Sequence, residues 1–266
     1  MKLRAMAIPV ASFFLVLGVA RWGRAQSSLQ MTPGQPPPLQ ATPVQLPPEE
    51  MADLYMARKE YKEAAATYRQ LTAKFPGNPF YFNKLGMAYQ QLLSFGSASR
   101  SYEHAIKLDP AYADAMNNLG TIYYSQKKYS RAIHAYQKAI SVRPEMAVLY
   151  SNLGYAYFAA KKYEESIAAF RKALEIDPGF FEQASSRNAA LMQNRSVEDR
   201  GRFYFFLAKS FAQANNVERC IHYLRKAREE GFKSMNSVKT DPAFTAVLSD
   251  VEIQELLAPH PDGAHP

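Results

Sequence analysis

The sequence predicts an all-α protein, a solenoid of helix-turn-helix repeats with a helical cap at its C-terminal end. Residues 117–144 (NNLGTIYYSQKKYSRAIHAYQKAISVRP) and 151–178 (SNLGYAYFAAKKYEESIAAFRKALEIDP) start 34 residues apart and are identical at 12 of 28 positions. The same interval separates four prolines, Pro76, Pro110, Pro144 and Pro178. A unit that recurs at this interval is typical of stacked repeats, in which each unit contacts only its neighbours.

Within each unit, apolar residues recur at the spacing of a helix rather than of a strand. In the third unit the two predicted apolar faces are Met116, Leu119, Gly120 and Tyr123 on the first helix and Tyr129, Ala132, Ile133 and Tyr136 on the second. A glycine recurs in the middle of the first helix, at Gly86, Gly120 and Gly154. Because a mid-helix glycine costs about 1 kcal/mol relative to alanine, we expect it to allow a close approach between the two helices. The proline ends the second helix, since it lacks an N–H donor.

This series of Leu-Gly, Tyr, Ala, aromatic, Ala and Pro resembles the tetratricopeptide repeat family. The resemblance implies a right-handed α-solenoid with four repeats over residues 49–180. The units are predicted at 45–78, 79–112, 113–146 and 147–180. The first unit is the weakest match, because Met51 and Ala52 stand in place of Leu-Gly.

The first 48 residues are predicted to lie outside the repeats. Residues 1–25 are predicted to be a signal peptide, because Lys2 and Arg4 precede a mostly apolar run that small residues follow. An uncleaved membrane anchor is the alternative, although the run is short for a bilayer core. Residues 26–48 contain seven prolines, five glutamines and no charged side chain, which favours a linker. The expected location is therefore periplasmic or secreted, or membrane-anchored if the signal is not cleaved.

The 34-residue register breaks after residue 180. Four segments are predicted there: an irregular connection or variant helix (181–195), a degenerate fifth repeat (196–231), short capping helices (232–258) and a flexible tail (259–266). Cys220 takes a small-residue position of the fifth repeat and is expected to be packed rather than reactive. Ser249 to Glu252 is predicted to be a capping box at the start of the last helix. These elements would cover the apolar end of the stack, as a solenoid requires.

No catalytic constellation is recognisable in the sequence. There is no Gly-rich phosphate loop, H-E-x-x-H motif or cysteine pair. His104, His134 and His222 fall at different repeat positions, which favours solvent-facing histidines over a metal site. The net charge of +8 falls to +4 without the first 25 residues, which is weak support for nucleic-acid binding. We therefore expect a protein that is not an enzyme, with no cofactor, no metal and no nucleic-acid partner.

The first helices are predicted to line a concave groove with the face that points away from the core. The predicted groove residues are Asn83, Lys84, Met87, Asn117, Asn118, Thr121, Tyr124, Ser151, Asn152, Tyr155 and Phe158. With Glu49 and Asp53 in the first unit, the groove is expected to change from acidic through amide to aromatic. The resemblance implies that Asn118 and Asn152 bind the backbone of an extended peptide, since an amide both donates and accepts. Hydrogen bonding within or between repeats is the open alternative for both residues.

The predicted function is a non-catalytic scaffold that binds an extended peptide or partner protein in this groove. The alternative is a self-associating structural component of a cell-envelope assembly, which would be a homo-oligomer. An apolar and aromatic floor beside Asn118 and Asn152 would favour peptide capture, whereas a mixed-polarity groove with an apolar patch elsewhere would favour self-assembly. Membrane contact is expected only if the N-terminal segment is not cleaved. The partner protein is not identified by the sequence.

Overall fold

The computed structural model describes residues 46–183 and 197–258. Over these ranges the ordered elements are all helical, which confirms the predicted fold class. The predicted signal peptide and tail, and most of the predicted linker and connection, lie outside the described residues.

Eight helices of similar length form four antiparallel hairpins. They are α1 (Pro48–Ala57), α2 (Tyr61–Lys74), α3 (Pro79–Gln91), α4 (Phe95–Leu108), α5 (Ala113–Ser125), α6 (Tyr129–Val142), α7 (Ala147–Ala159) and α8 (Tyr163–Ile176). Each helix packs on its hairpin partner and on the next hairpin. Then follow α9 (Phe180–Gln183), α10 (Val197–Gln213), α11 (Val217–Glu229), two 3-10 turns (Met235–Lys239, Pro242–Phe244) and α12 (Val251–Leu257).

The recurring glycines place an aromatic ring of the second helix directly on the first helix. The rings of Tyr102, Tyr136 and Phe170 lie on Gly86, Gly120 and Gly154, respectively. A Cβ atom at Gly120 would lie 2.6 Å from Cε1 of Tyr136, which is far inside van der Waals contact. The expected close approach is therefore present, and a buried aromatic ring of the second helix fills the space that a side chain at the glycine position would need.

The turns between the helices of a hairpin share a left-handed residue. In the described part of the chain, five non-glycine residues have a positive φ of 54–62°: Lys59, Leu93, Lys127, Lys161 and Asn215. The first four are 34 residues apart, so this conformation is part of the repeat. An L-residue in the left-handed region costs roughly 1–2 kcal/mol, and asparagine tolerates it better than leucine does.

Leu93→Asn is expected to raise the free energy of unfolding by about 0.5–1 kcal/mol, because asparagine adopts a positive φ more readily. The side chain of Leu93 is 73% exposed, so little packing is lost. The measurement is the urea midpoint, followed by far-ultraviolet circular dichroism. Asn215→Leu is the reciprocal control and should lower the midpoint. A lower midpoint for Leu93→Asn would show that backbone strain does not govern this position.

The helical pair α10 and α11 covers the fourth repeat, with α10 packed on α8. Phe203 of α10 is 1% exposed, and its ring stacks on Tyr155 with the two centroids 5.5 Å apart. Cys220 of α11 is buried, and burial raises the pKa of its thiol to about 12. The thiol therefore stays protonated at neutral pH and is a poor nucleophile.

The last helix, α12, begins after Asp250 rather than after Ser249. One Asp250 carboxylate oxygen accepts hydrogen bonds from the backbone N–H groups of Glu252 and Ile253, at 2.9 and 3.4 Å. The predicted capping box is therefore wrong about the capping residue. A carboxylate at this place also interacts favourably with the positive end of the helix dipole.

Candidate peptide-binding groove

A cavity of about 430 Å³ runs along the first helices of the second, third and fourth repeats. Its lining residues are Gln90, Gln91, Asn117, Asn118, Thr121, Tyr124, Tyr136, Val148, Asn152 and Tyr155. We call this cavity the groove. The helices α3, α5 and α7 supply nine of the ten residues, because stacking the repeats brings the same face of each first helix to one side.

Two hydrogen bonds join the amides of successive repeats. Asn118 Nδ2 donates to Asn83 Oδ1 across 3.1 Å, and Asn152 Nδ2 donates to Asn117 Oδ1 across 2.8 Å. Hydrogen bonding between repeats, one of the two open alternatives, is therefore present. A carboxamide has two N–H donors and an acceptor oxygen. Asn118 and Asn152 each use one donor in these bonds, so the second N–H and the oxygen remain as groups that a ligand can bind.

Both acidic residues of the predicted groove, Asp53 and Glu49, have hydrogen-bond partners within the protein. Asp53 accepts hydrogen bonds from Tyr68 Oη and from Lys84 Nζ, the latter at 2.9 Å. Burial tends to raise the pKa of Asp53, but the bonds from Tyr68 and Lys84 outweigh it and hold that pKa below its usual value. Glu49 accepts a hydrogen bond from Tyr81 Oη at 2.8 Å. Lys84 is thus engaged by Asp53 and lies outside the groove.

The aromatic end is covered by α10, which the predicted groove did not include. Ser151, Tyr155 and Phe158 are only 2%, 4% and 3% exposed. The Phe158 ring contacts Phe203 and Phe206 of α10, with centroid distances of 5.4 and 6.2 Å. Ser151 and Phe158 are therefore packed inside the protein, whereas Tyr155 still borders the groove.

Six of the eleven predicted residues come together in the groove: Asn117, Asn118, Thr121, Tyr124, Asn152 and Tyr155. The other five lie outside it: Asn83, Lys84, Met87, Ser151 and Phe158. Asn83 is buried and supports the groove through its bond to Asn118. Met87 packs in a hydrophobic cluster of the second and third repeats.

Four lining residues are not among the eleven predicted ones: Gln90, Gln91, Tyr136 and Val148. Tyr136 is on a second helix, and its ring reaches the groove across Gly120, with its Oη 3.3 Å from Thr121 Oγ1. Burial raises the pKa of Tyr136, so its hydroxyl stays protonated. Val148 precedes Asn152 by four residues on the same helix, so the helical spacing carried the signal for it.

The chemistry of the lining suits binding. None of the ten lining residues is Asp, Glu, Lys, Arg, His or Cys. Its polar groups are amides and hydroxyls, which bind a neutral polypeptide backbone without desolvating a charge. Beside the amides, Tyr124 and Val148 are partly exposed apolar side chains, whereas Tyr136 and Tyr155 are only 3% and 4% exposed.

The described residues contain neither a metal site nor a membrane-spanning helix. Over residues 46–183 and 197–258 no group of three His, Cys, Asp or Glu side chains is placed to hold a metal ion. Within the same ranges no helix has the length and apolar character needed to cross a membrane.

Comparison with known proteins agrees with the repeat pattern. Tetratricopeptide repeat profiles match residues 50–78, 81–112, 113–146 and 147–180. A crystal structure of MamA is 22% identical and aligns with a TM-score of 0.50, covering 71% of this chain and 97% of that one. A MamA structure from Desulfovibrio magneticus RS-1 is 18% identical, with a TM-score of 0.50 and coverage of 69% and 92%. These likenesses show a shared fold. No curated protein matches the sequence.

Proposed function

Because the chain is a tetratricopeptide repeat protein over residues 50–180, we propose that it is a non-catalytic scaffold whose groove binds an extended segment of a partner protein. The observation that carries the proposal is the uncharged, amide-rich cavity of about 430 Å³ that crosses three repeats. Its amides and hydroxyls can bind a polypeptide, and none of its side chains is a carboxylate, imidazole, amine or thiol.

The amides are arranged to bind a backbone. Asn117 and Asn152 are held by their mutual hydrogen bond, so little side-chain entropy is lost when a ligand binds. An extended segment carries one N–H and one C=O per residue, proline excepted. The remaining N–H and oxygen of Asn152 can pair with these two groups without selecting a side chain.

The aromatic surface adds apolar contact to these polar bonds. Thr121 and Tyr136 hold each other by their hydroxyls, which keeps the Tyr136 ring in place under Gly120. Tyr136 itself is only 3% exposed, so the apolar contact area comes from the partly exposed side chains of Tyr124 and Val148. Since no lining side chain is charged, the segment bound in the groove is expected to make mainly hydrogen bonds and apolar contacts there.

The test compares two double variants of the full-length chain. Gln91→Ala/Tyr124→Ala removes an amide and a ring from the groove, and Gln137→Ala/Tyr157→Ala removes the same two residue types from the hydrogen-bonded pair outside it. Peptides are selected on the wild-type chain from a random phage-displayed library, and their affinities are measured by fluorescence anisotropy. We expect the groove variant to lose at least tenfold in affinity and the control to stay within twofold.

The salt dependence of the affinity and the mass of the protein in solution provide two checks on this experiment. Binding through uncharged groups should change less than about twofold between 0.05 and 0.5 M salt, since screening acts on charges. If circular dichroism shows that both variants are folded and the selected peptides bind them equally, the groove is not the binding site. Light scattering tests the alternative, which is self-association through the groove. In that case the mass of the wild-type protein would rise with concentration, and the mass of the groove variant would stay that of a monomer.

Export is a further part of the proposal. It is supported by the two basic residues and the apolar run in residues 1–25. Expression in a bacterial host should yield exported protein whose N-terminal residue, found by mass spectrometry, is Gln26. An exported chain that retains residue 1 would instead indicate a membrane anchor.

A further inference from the structure

A second cavity, the second-helix crevice, lies between α4 and α6 over a different face of α5. Its volume is about 440 Å³. The apolar side chains that line it are Ile106, Met116, Leu119 and Ala135. None of these residues lines the groove, so the crevice is a separate surface of the second and third repeats.

The same repeat positions form a smaller crevice one repeat earlier. Every residue that lines this smaller crevice, of about 260 Å³, is 34 positions before a residue of the larger one. Phe82 stands there in the place of Met116, and its ring lies against His104 with the centroids 4.0 Å apart. In the fourth repeat the same position is Tyr150. At this repeat position both neighbouring repeats have an aromatic side chain, whereas the second-helix crevice has Met116.

The border of the crevice is basic. Arg131, His134 and Lys138 of α6 are exposed, and over the described residues none of the three forms an ion pair. Arg131 lies over the Tyr123 ring, 5.9 Å from its centroid. The single acid at the border, Glu103, accepts a hydrogen bond from Tyr123 Oη at 3.3 Å. Arg131 and Lys138 carry two positive charges and Glu103 one negative charge, so the border is positive even when His134 is neutral.

We propose that the second-helix crevice binds an acidic segment of a partner protein that carries an aromatic side chain. The ring of the ligand would occupy the space that Phe82 fills in the preceding repeat, against Met116 and Leu119. Acidic residues beside that ring would pair with Arg131 and Lys138. An apolar cavity of about 150 Å³ is enough to hold a benzene ring, so the crevice has room for a phenylalanine. Burying the ring supplies affinity, and the charges select acidic over basic ligands.

The probe is a synthetic pentapeptide in which phenylalanine is flanked on each side by two glutamates. The full-length chain is labelled with ¹³C-methyl methionine and titrated with the peptide. The Met116 methyl signal should shift and saturate, whereas the signal of Met56, which packs against a separate hydrophobic cluster, mostly of the first repeat, should not. Peptides with lysine in place of glutamate, or with alanine in place of phenylalanine, should bind at least tenfold more weakly. Raising the salt from 0.05 to 0.5 M should weaken the acidic peptide at least threefold.

The decisive variant fills the crevice with a larger side chain of the protein itself. Met116→Phe restores the ring found in the neighbouring repeats and should reduce peptide affinity at least tenfold, whereas Met116→Leu should stay within threefold. Arg131→Gln/Lys138→Gln changes only exposed residues and should reduce affinity about fivefold without affecting folding. The proposal is overturned if the Met116 signal does not move, or if Met116→Phe binds like the wild type. A concentration-dependent dimer that Met116→Phe abolishes would also overturn it, by assigning the crevice to a second copy of the chain.

Discussion

Phe203→Ala is expected to lower the free energy of unfolding by about 3–5 kcal/mol, the usual cost of deleting a buried aromatic ring. Phe203 is 1% exposed and joins α10 to the fourth repeat. Its ring lies 5.5, 5.4 and 5.9 Å from the rings of Tyr155, Phe158 and Phe170, respectively. The loss therefore combines transferred apolar area, a cavity and three aromatic pairs. Urea unfolding followed by far-ultraviolet circular dichroism measures it.

Phe75→Ala is the matched control for this substitution. Phe75 is 42% exposed and contacts the Tyr81 ring at 5.6 Å, so its removal should cost less than about 1 kcal/mol. A second measurement is the binding of a hydrophobic dye, which should rise in Phe203→Ala because Tyr155 and Phe158 become uncovered. Equal costs for the two variants would show that α10 does not stabilise the fourth repeat.

Gly120→Ala is expected to destabilise the protein by about 2 kcal/mol, although alanine is the better helix former by about 1 kcal/mol. The added Cβ would lie 2.6, 2.8 and 3.0 Å from three atoms of the Tyr136 ring. That ring is buried, so it moves only if its surroundings move, and overpacking of this kind typically costs 1–3 kcal/mol. The urea midpoint of the variant gives the net effect.

Two further variants show whether the Tyr136 ring is the cause. Gly96→Ala adds a methyl group to α4, where the new Cβ would meet only Arg100 Nη1 at 3.8 Å, and stability should stay equal or rise by up to about 1 kcal/mol. Gly120→Ala in a Tyr136→Ala background should be neutral or stabilising, which is a coupling energy of about 2–3 kcal/mol. Additive costs of the two substitutions would contradict the proposed clash.

Local repetition is what made the fold predictable. The 34-residue interval and the spacing of residues such as Leu119 and Tyr123 give the helices and their packed faces, because each repeat contacts mainly its neighbours. The left-handed turns were not predicted, although they recur at the same interval. Lysine and leucine at Lys127 and Leu93 have no preference for a positive φ, so their residue types gave no sign of it.

The groove was predictable only where the repeats are regular. Asn117, Asn118 and Thr121 lie in the groove because their repeat positions determine where they point. The packing of Phe158 depends on α10, which follows a break in the 34-residue register. No spacing rule places that helix against α8. The bond between Asn118 and Asn83 was one of two chemically reasonable expectations, and only the distance between the two amides shows that it forms.

The two amide bonds between repeats also have a mechanical consequence. Asn118 is tied to Asn83, and Asn152 to Asn117, all on the groove side of the stack. On another face of α5, the second and third repeats meet around a crevice that no side chain fills. Opening the stack on the groove side would break both amide bonds. We therefore expect a pull on its ends to widen the crevice before it lengthens the groove, so that tension changes the shape of the two surfaces unequally.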